Sequence, residues 1–202
     1  MQDIHKQPTL MLVAGGTAGH ILPAFHIGAY AKKNGWNVIW ISGKDGVENT
    51  IKKPNFIKHE RIEMAGFRGK SIFSQCKILC MLVSACFQAY RFIHQYQPDV
   101  VLCMGGYVSV PTGIAAWLKR LPLCLHESNT RLGLSNRLLL PLSKYCFLGF
   151  DLPSLPPKAQ ITGNPISPDI KRNMLALPQS FSKKKTLTHT CHRRQQRSKK
   201  NT

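Results

Sequence analysis

The sequence is short of acid. Only 9 of its 202 residues are Asp or Glu, against 28 Lys and Arg, for a formal net charge of +19 at pH 7. That deficit excludes an acidic disordered chain and makes nucleic acid and anionic membrane surfaces the first partners to weigh. Long apolar runs are missing as well. The longest uncharged apolar stretch, Ile78 to Tyr90, has 13 residues; a membrane-spanning helix needs about 20, so no transmembrane segment is predicted. The apolar stretch Leu10 to Ala14 is too short and wrongly flanked for a secretory signal. Fifteen glycines are too few for a collagen-like chain. The seven cysteines, Cys76, Cys80, Cys86, Cys103, Cys124, Cys146 and Cys191, are odd in number and mostly sit in apolar runs. They read as small buried hydrophobes in a reducing compartment, not as a disulfide framework. No GxxxxGK[ST] phosphate loop is present, and the first glycine-rich loop lacks the third glycine of GxGxxG. Both P-loop and hydride-transfer chemistry are thereby demoted.

The charge that is present divides in two. Residues 171–202 hold ten Lys and Arg and no acid, whereas residues 1–170 hold eighteen against nine. The tail SFSKKKTLTHTCHRRQQRSKKNT has neither helical nor strand periodicity, which predicts disorder. The expected organisation is one folded domain over 1–170, large enough for a real core, and a basic tail over 171–202. His189, Cys191 and His192 in that tail match no structural zinc spacing, so no metal site is expected.

The body alternates short apolar runs with helical patterns. Strands are predicted at 10–14, 38–41, 56–63, 99–104, 121–126, 144–148 and 160–162. Helices are predicted at 21–34, 45–53, 72–96, 110–120 and 131–142. Such alternation, with strands apolar on both faces, specifies an α/β fold: a Rossmann-like, doubly wound parallel sheet. The 72–96 helix carries more apolar residues than one buried stripe needs, with Arg68, Lys70, Lys77 and Arg91 nearby. Two readings stand: a face dipping into an anionic membrane surface, or a deeply buried core helix.

Ligands of a doubly wound sheet bind at the carboxyl ends of its strands. Three polar clusters fall there: Gly15-Gly-Thr-Ala-Gly-His20, Gly105-Gly-Tyr-Val-Ser109 and His126-Glu-Ser-Asn129. Glycine pairs before a helix expose backbone N–H groups at the positive end of the helix dipole, a ready phosphate site; they also simply permit tight turns. His20 at a helix start is the candidate general base, since that position favours the neutral imidazole, or else a local cap. Glu127 could orient a hydroxyl or assist the base, or else cap a loop. Tyr107 and Asn129 could hydrogen-bond a sugar.

Taken together, GGTAGH at 15–20, AGFRGK at 65–70, QPDVVLCMGGYVSVP at 97–111, LHESN at 125–129 and TGNPI at 162–166 resemble the N-terminal half of the MurG family of peptidoglycan glycosyltransferases, over about residues 8–168. The resemblance implies a GT-B enzyme whose N-terminal domain handles a lipid-linked acceptor and whose C-terminal domain binds UDP-N-acetylglucosamine. It implies transfer of N-acetylglucosamine to undecaprenyl-diphosphate-linked N-acetylmuramoyl-pentapeptide with inversion, and roles in cell-wall biogenesis, cell shape and cell division. It further implies peripheral attachment to the cytoplasmic face of the bacterial inner membrane, with no cofactor and no metal. His20 and Glu127 take the catalytic positions. Thr17, Ala18, Gly19, Gly105, Gly106, Tyr107, Ser109 and Asn129 take substrate-binding positions, and Phe73, Leu79, Leu82, Lys70 and Lys77 membrane-contact positions.

Three departures stand out. Ala18 replaces a usual glycine, so a methyl group demands an allowed φ and restricts phosphate approach. Ser167 replaces a usual arginine after GNPI. Beyond about residue 170 nothing resembles the family's donor domain, which suggests a truncated or frameshifted chain, inactive or nearly so alone. The alternative reading is a non-catalytic module that binds lipid diphosphate or a membrane surface. Specific nucleic-acid binding is not expected: the body has no recognition motif, and the tail offers only Phe181 for stacking.

Overall fold

A computed structural model describes residues 6–44, 57–64, 75–152, 154 and 156–166. They form seven strands: β1 (Thr9–Val13), β2 (Asn37–Gly43), β3 (Lys58–Ile62), β4 (Val100–Cys103), β5 (Leu123–Glu127), β6 (Tyr145–Leu148) and β7 (Ala159–Ile161). The helices are α1 (Ala18–Lys33), α2 (Gln75–Tyr96), α3 (Ser109–Leu118) and α4 (Leu134–Leu139), the last running into a 3-10 turn at Leu140–Leu142. The sheet order is β3-β2-β1-β4-β5-β6-β7, and every pairing is parallel. This is the doubly wound arrangement that the strand–helix alternation specifies.

Strand chemistry follows strand position. Every residue of β1 (TLMLV) and β5 (LCLHE) is buried, so both faces of each strand are covered. β3 at one edge reads KHERI and β7 at the other AQI, both largely open to solvent, as unpaired strand edges require. One core cluster lies under α2, α3 and α4 and contains Met11, Val13, Val101, Leu125 and Leu148. The other lies under α1 and contains Leu12, Ile21, Phe25 and Trp40. Cys103, Cys124 and Cys146 are buried free thiols. Burial pushes Cys103 up to about 12 and Cys146 up to about 11, which leaves them packing groups without nucleophilic character.

Helix boundaries differ from the sequence expectation for local reasons. α1 starts at Ala18, three residues early, because Thr17 adopts the extended N-cap conformation directly after the glycine pair. It ends at Asn34, followed by Gly35 at φ +82°. The helix expected over 131–142 begins only at Leu134, because residues 128–133 are held instead by the side chain of Glu127. The expected helix at 45–53 and the AGFRGK loop at 65–70 lie outside the described residues, as does the tail.

α2 answers the question its composition raised. Its inner face is made of small residues, Ala85 and Ala89, with Ile93. The large ones, Leu79, Val83 and Phe87, recur every fourth residue on the outside and are 61, 62 and 63% exposed. Leu82 points inward and packs against the core. The helix is therefore packed on one side and apolar on both.

Candidate active site

β1, β4 and β5 are neighbours in a parallel sheet, so the loops after them meet on one rim. The contact is at backbone level. A Cβ on Gly106 would lie 2.3 Å from the Gly15 carbonyl oxygen, and Gly16, Gly105 and Gly106 all have positive φ. Both glycine pairs are thus required by turn geometry and by close approach of the two loops. Ala18 creates no strain, because it is the first residue of α1 and has no positive φ.

His20 sits one turn into α1 with its ring against Gly105. A Cβ there would lie 2.9 Å from the imidazole Cε1 and 3.0 Å from Nδ1. Nδ1 is buried without a hydrogen-bond partner. Burial holds the imidazole below the ordinary histidine range, against the opposing pull of the Glu127 charge and the Met104 carbonyl. Burial thus favours the neutral imidazole, the state a general base needs. Thr17 is exposed and its side chain makes no cap hydrogen bond. Gly19 is exposed in the first turn, where an added Cβ would meet only the Thr17 hydroxyl, at 3.8 Å.

Glu127 is the last residue of β5, 1% exposed, and both its oxygens are occupied. Oε1 accepts from the Asn129 backbone N–H at 3.0 Å and from Asn129 Nδ2 at 2.8 Å. Oε2 accepts from the Gly133 N–H at 2.8 Å and from Asn136 Nδ2 at 2.9 Å. Four N–H donors on one buried carboxylate fold the 128–136 segment around it. Asn129 donates to Glu127 through its backbone N–H and its side-chain amide and remains exposed at the rim. Ser109 is fully buried and donates its hydroxyl to the Gly105 carbonyl at 2.8 Å. It shapes the loop from below and does not reach the cleft. Ser135 does likewise for Gly106, at 2.8 Å.

Tyr107 leans back across the rim. Its ring lies over Gly16, and its phenol occupies the space a Cβ on Gly43 would need. In a dinucleotide-binding domain an acidic residue near this point meets the ribose; here β2 ends on glycine under a tyrosine.

Two groups on the rim escaped the candidate residues. His126 is 3% exposed, and its Nδ1 and Nε2 lie 3.4 Å from the Ser128 hydroxyl and the Gly163 carbonyl. Burial lowers its basicity as well. Asn164 donates to the Ser128 carbonyl at 3.1 Å, tying the loop after β7 to the loop after β5. His126, Leu102, Phe147 and residues 162–165 line a cavity of about 310 Å³. The signals available were the LHESN and TGNPI strings themselves, whose polar residues follow strands. Among the membrane-contact candidates, Leu79 is exposed on α2. Phe73, Lys70 and the side chain of Lys77 lie outside the described residues.

Comparison with known proteins places this geometry. Residues 10–146 match the glycosyltransferase family 28 N-terminal domain. The UDP-N-acetylglucosamine–N-acetylmuramyl-(pentapeptide) pyrophosphoryl-undecaprenol N-acetylglucosamine transferase of Yersinia enterocolitica is 40% identical over 173 residues, 86% of this chain and 47% of the relative. The enzyme of the same name from Pectobacterium carotovorum is 41% identical over 169 residues, 84% of this chain and 45% of the relative. The crystal structure of Acinetobacter baumannii MurG superposes with a TM-score of 0.69 at 27% identity, covering 85% of this chain and 50% of that one. The chain spans about half the length of the relatives it matches.

Proposed function

The chain belongs to the glycosyltransferase family 28 N-terminal domain family, and from that premise we propose that residues 8–168 form the acceptor side of a peptidoglycan hexosyltransferase. The reaction is transfer of N-acetylglucosamine from UDP-N-acetylglucosamine to undecaprenyl-diphosphate-linked N-acetylmuramoyl-pentapeptide. The observation that carries this reading is the His20 ring seated against Gly105, where the loops after β1, β4 and β5 converge; its burial favours the neutral imidazole. His20 takes the proton from the attacking sugar hydroxyl as that oxygen displaces UDP at the anomeric carbon, inverting it. The α1 N-terminus and the glycine loops carry the acceptor diphosphate. Glu127 acts through Asn129, holding that side chain at the cleft. UDP-sugar is held by a facing domain of the kind that fits in the relatives' remaining length.

The bare stripe on α2 supports peripheral attachment to the cytoplasmic face of a bacterial inner membrane. Trp117 and Leu118 at the end of α3 are also exposed, and Lys119 stacks on Tyr90 of α2 at 4.3 Å. No described helix is long and apolar enough to cross a membrane. An apolar, basic surface of this kind is a lipid-contacting one.

The test is transfer of labelled N-acetylglucosamine to the lipid-linked acceptor, by the 1–202 chain alone and mixed with the donor-binding half of a relative. Transfer is expected only in the mixture, and His20→Asn is expected to lower it by about 10²- to 10⁴-fold. Robust transfer by 1–202 alone refutes the need for a facing domain. An H20N rate within a few-fold of the parent refutes the base assignment.

A further inference from the structure

A second polar pocket lies on the α4 side of the rim, apart from the glycine loops. It has a volume of about 280 Å³ and is lined by Thr130, Arg131, Leu132, Arg137, Leu152 and Ser154. Its lining thus combines two arginines and two hydroxyl residues with two leucines. No ion pair among the described residues involves either arginine; the one found there is Lys44–Glu63, and Glu127, the nearest acid along the chain, is taken up by Asn129, Gly133 and Asn136. Two arginines sharing a concave site without an acid repel each other and are stabilised by an anion there. A planar guanidinium fork beside hydroxyl donors suits phosphate oxygens.

The surroundings narrow the anion further. α4 carries Leu134, Arg137 and Leu138 at positions i, i+3 and i+4, hence on one face. Leu134 is 72% and Leu138 56% exposed. A cation between two bare leucines, at the mouth of a basic pocket, matches a ligand with a phosphate joined to hydrocarbon. We propose that the Arg131–Arg137 pocket binds the phosphate of a membrane lipid, with Leu134 and Leu138 against the first part of its acyl chains. The site is separate from the α2 stripe and from the loops around His20. It gives the rim a second lipid contact, on the far side of Asn129, that fixes the domain's rotation on the bilayer.

The probe is a soluble short-chain phosphatidic acid, titrated into the full chain below its micellar concentration, with the arginine Nε–Hε NMR signals as readout. Inorganic phosphate is titrated in parallel. The Arg131 and Arg137 signals are expected to shift saturably with both, about tenfold tighter with the lipid because of the leucine contacts. Arg131→Gln with Arg137→Gln should abolish lipid binding at the pocket and lower partition into phosphatidylglycerol-containing vesicles. Leu134→Gln with Leu138→Gln should erase the preference for lipid over phosphate while keeping the phosphate shift. All four side chains are at the surface, and circular dichroism checks that each variant folds. Absence of a saturable shift at either guanidinium overturns the site. Equal affinity for phosphate and lipid overturns the lipid assignment. Leu79→Asp with Phe87→Asp, which removes the α2 stripe, should weaken vesicle binding yet leave the guanidinium shifts intact, so the two membrane contacts fail separately.

Discussion

Replacing Glu127 with glutamine removes one acceptor oxygen from a buried hub that serves four donors. The amide will turn its oxygen toward Asn136, the buried donor, and Gly133, and its nitrogen toward Asn129, whose exposed groups can reach water. Two hydrogen bonds are then lost at a solvated position and two lose their charge assistance. Neutral hydrogen bonds are worth about 1 kcal/mol net, and those to charged groups about 1.5–3. Against this stands the relief of no longer burying a charge, and Asn136 keeps its second bond, to the His126 carbonyl at 3.1 Å. The net expectation is about 2 kcal/mol of destabilisation for Glu127→Gln. For Glu127→Ala, which removes all four contacts, the buried one to Asn136 among them, and opens a cavity, it is about 4 kcal/mol. Urea unfolding of the full chain measures both as midpoint shifts at constant slope. An NMR titration adds a readout independent of stability. The Glu127 charge supports protonation of His20, so the His20 midpoint should fall further in the glutamine variant. A Glu127→Gln chain within about 0.5 kcal/mol of the parent, with an unmoved His20 midpoint, would refute the hub.

Gly106→Ala and Gly35→Ala separate conformational strain from collision. Gly35 has positive φ with nothing within 4 Å, so alanine there should cost about 1–2 kcal/mol; at Gly106 the Cβ also strikes the Gly15 carbonyl, and thermal unfolding should show a clearly larger loss. His20 and His126 both sit below the ordinary histidine value of 6.5 in the folded chain. The unfolded chain therefore binds protons first, and their contribution to stability is complete above about pH 6.5 and lost as pH falls below it. Urea midpoints should drop from pH 7.5 toward pH 5, and drop less when both histidines are asparagine. Leu79→Asp with Phe87→Asp should weaken sedimentation with anionic vesicles by about tenfold or more without shifting the unfolding midpoint, because both side chains are exposed; unchanged sedimentation would remove α2 from the membrane surface.

The inner strands were legible because parallel strands buried on both faces are short apolar runs, and Leu10 to Ala14 or Asp99 to Met104 announce themselves that way; the edge strands β3 and β7, largely open to solvent, carry no such run. The rim followed, since glycine pairs mark where such strands stop. What the sequence could not convey was direction. A string such as Ile78 to Tyr90 is apolar throughout, and only packing reveals that its alanines face the core while Leu79, Val83 and Phe87 face out. The same holds for Ser109, polar at a strand end yet turned down onto Gly105. Glu127 was visible as a carboxylate at the cleft, but its four donors come from residues up to nine positions away, in the loop after β5 and the first turn of α4. His126 was visible as the head of a polar cluster, but not that its ring is buried, against Ser128 and Gly163.

Tyr107 links two ends of the rim that share no covalent path shorter than the sheet itself. Its phenol fills the space above Gly43, and its backbone follows directly from Gly105, which backs the His20 ring, and Gly106, which meets Gly15. One residue therefore ties the end of β2 to the loop on which the imidazole rests, and a side chain in place of Gly43 would strike it.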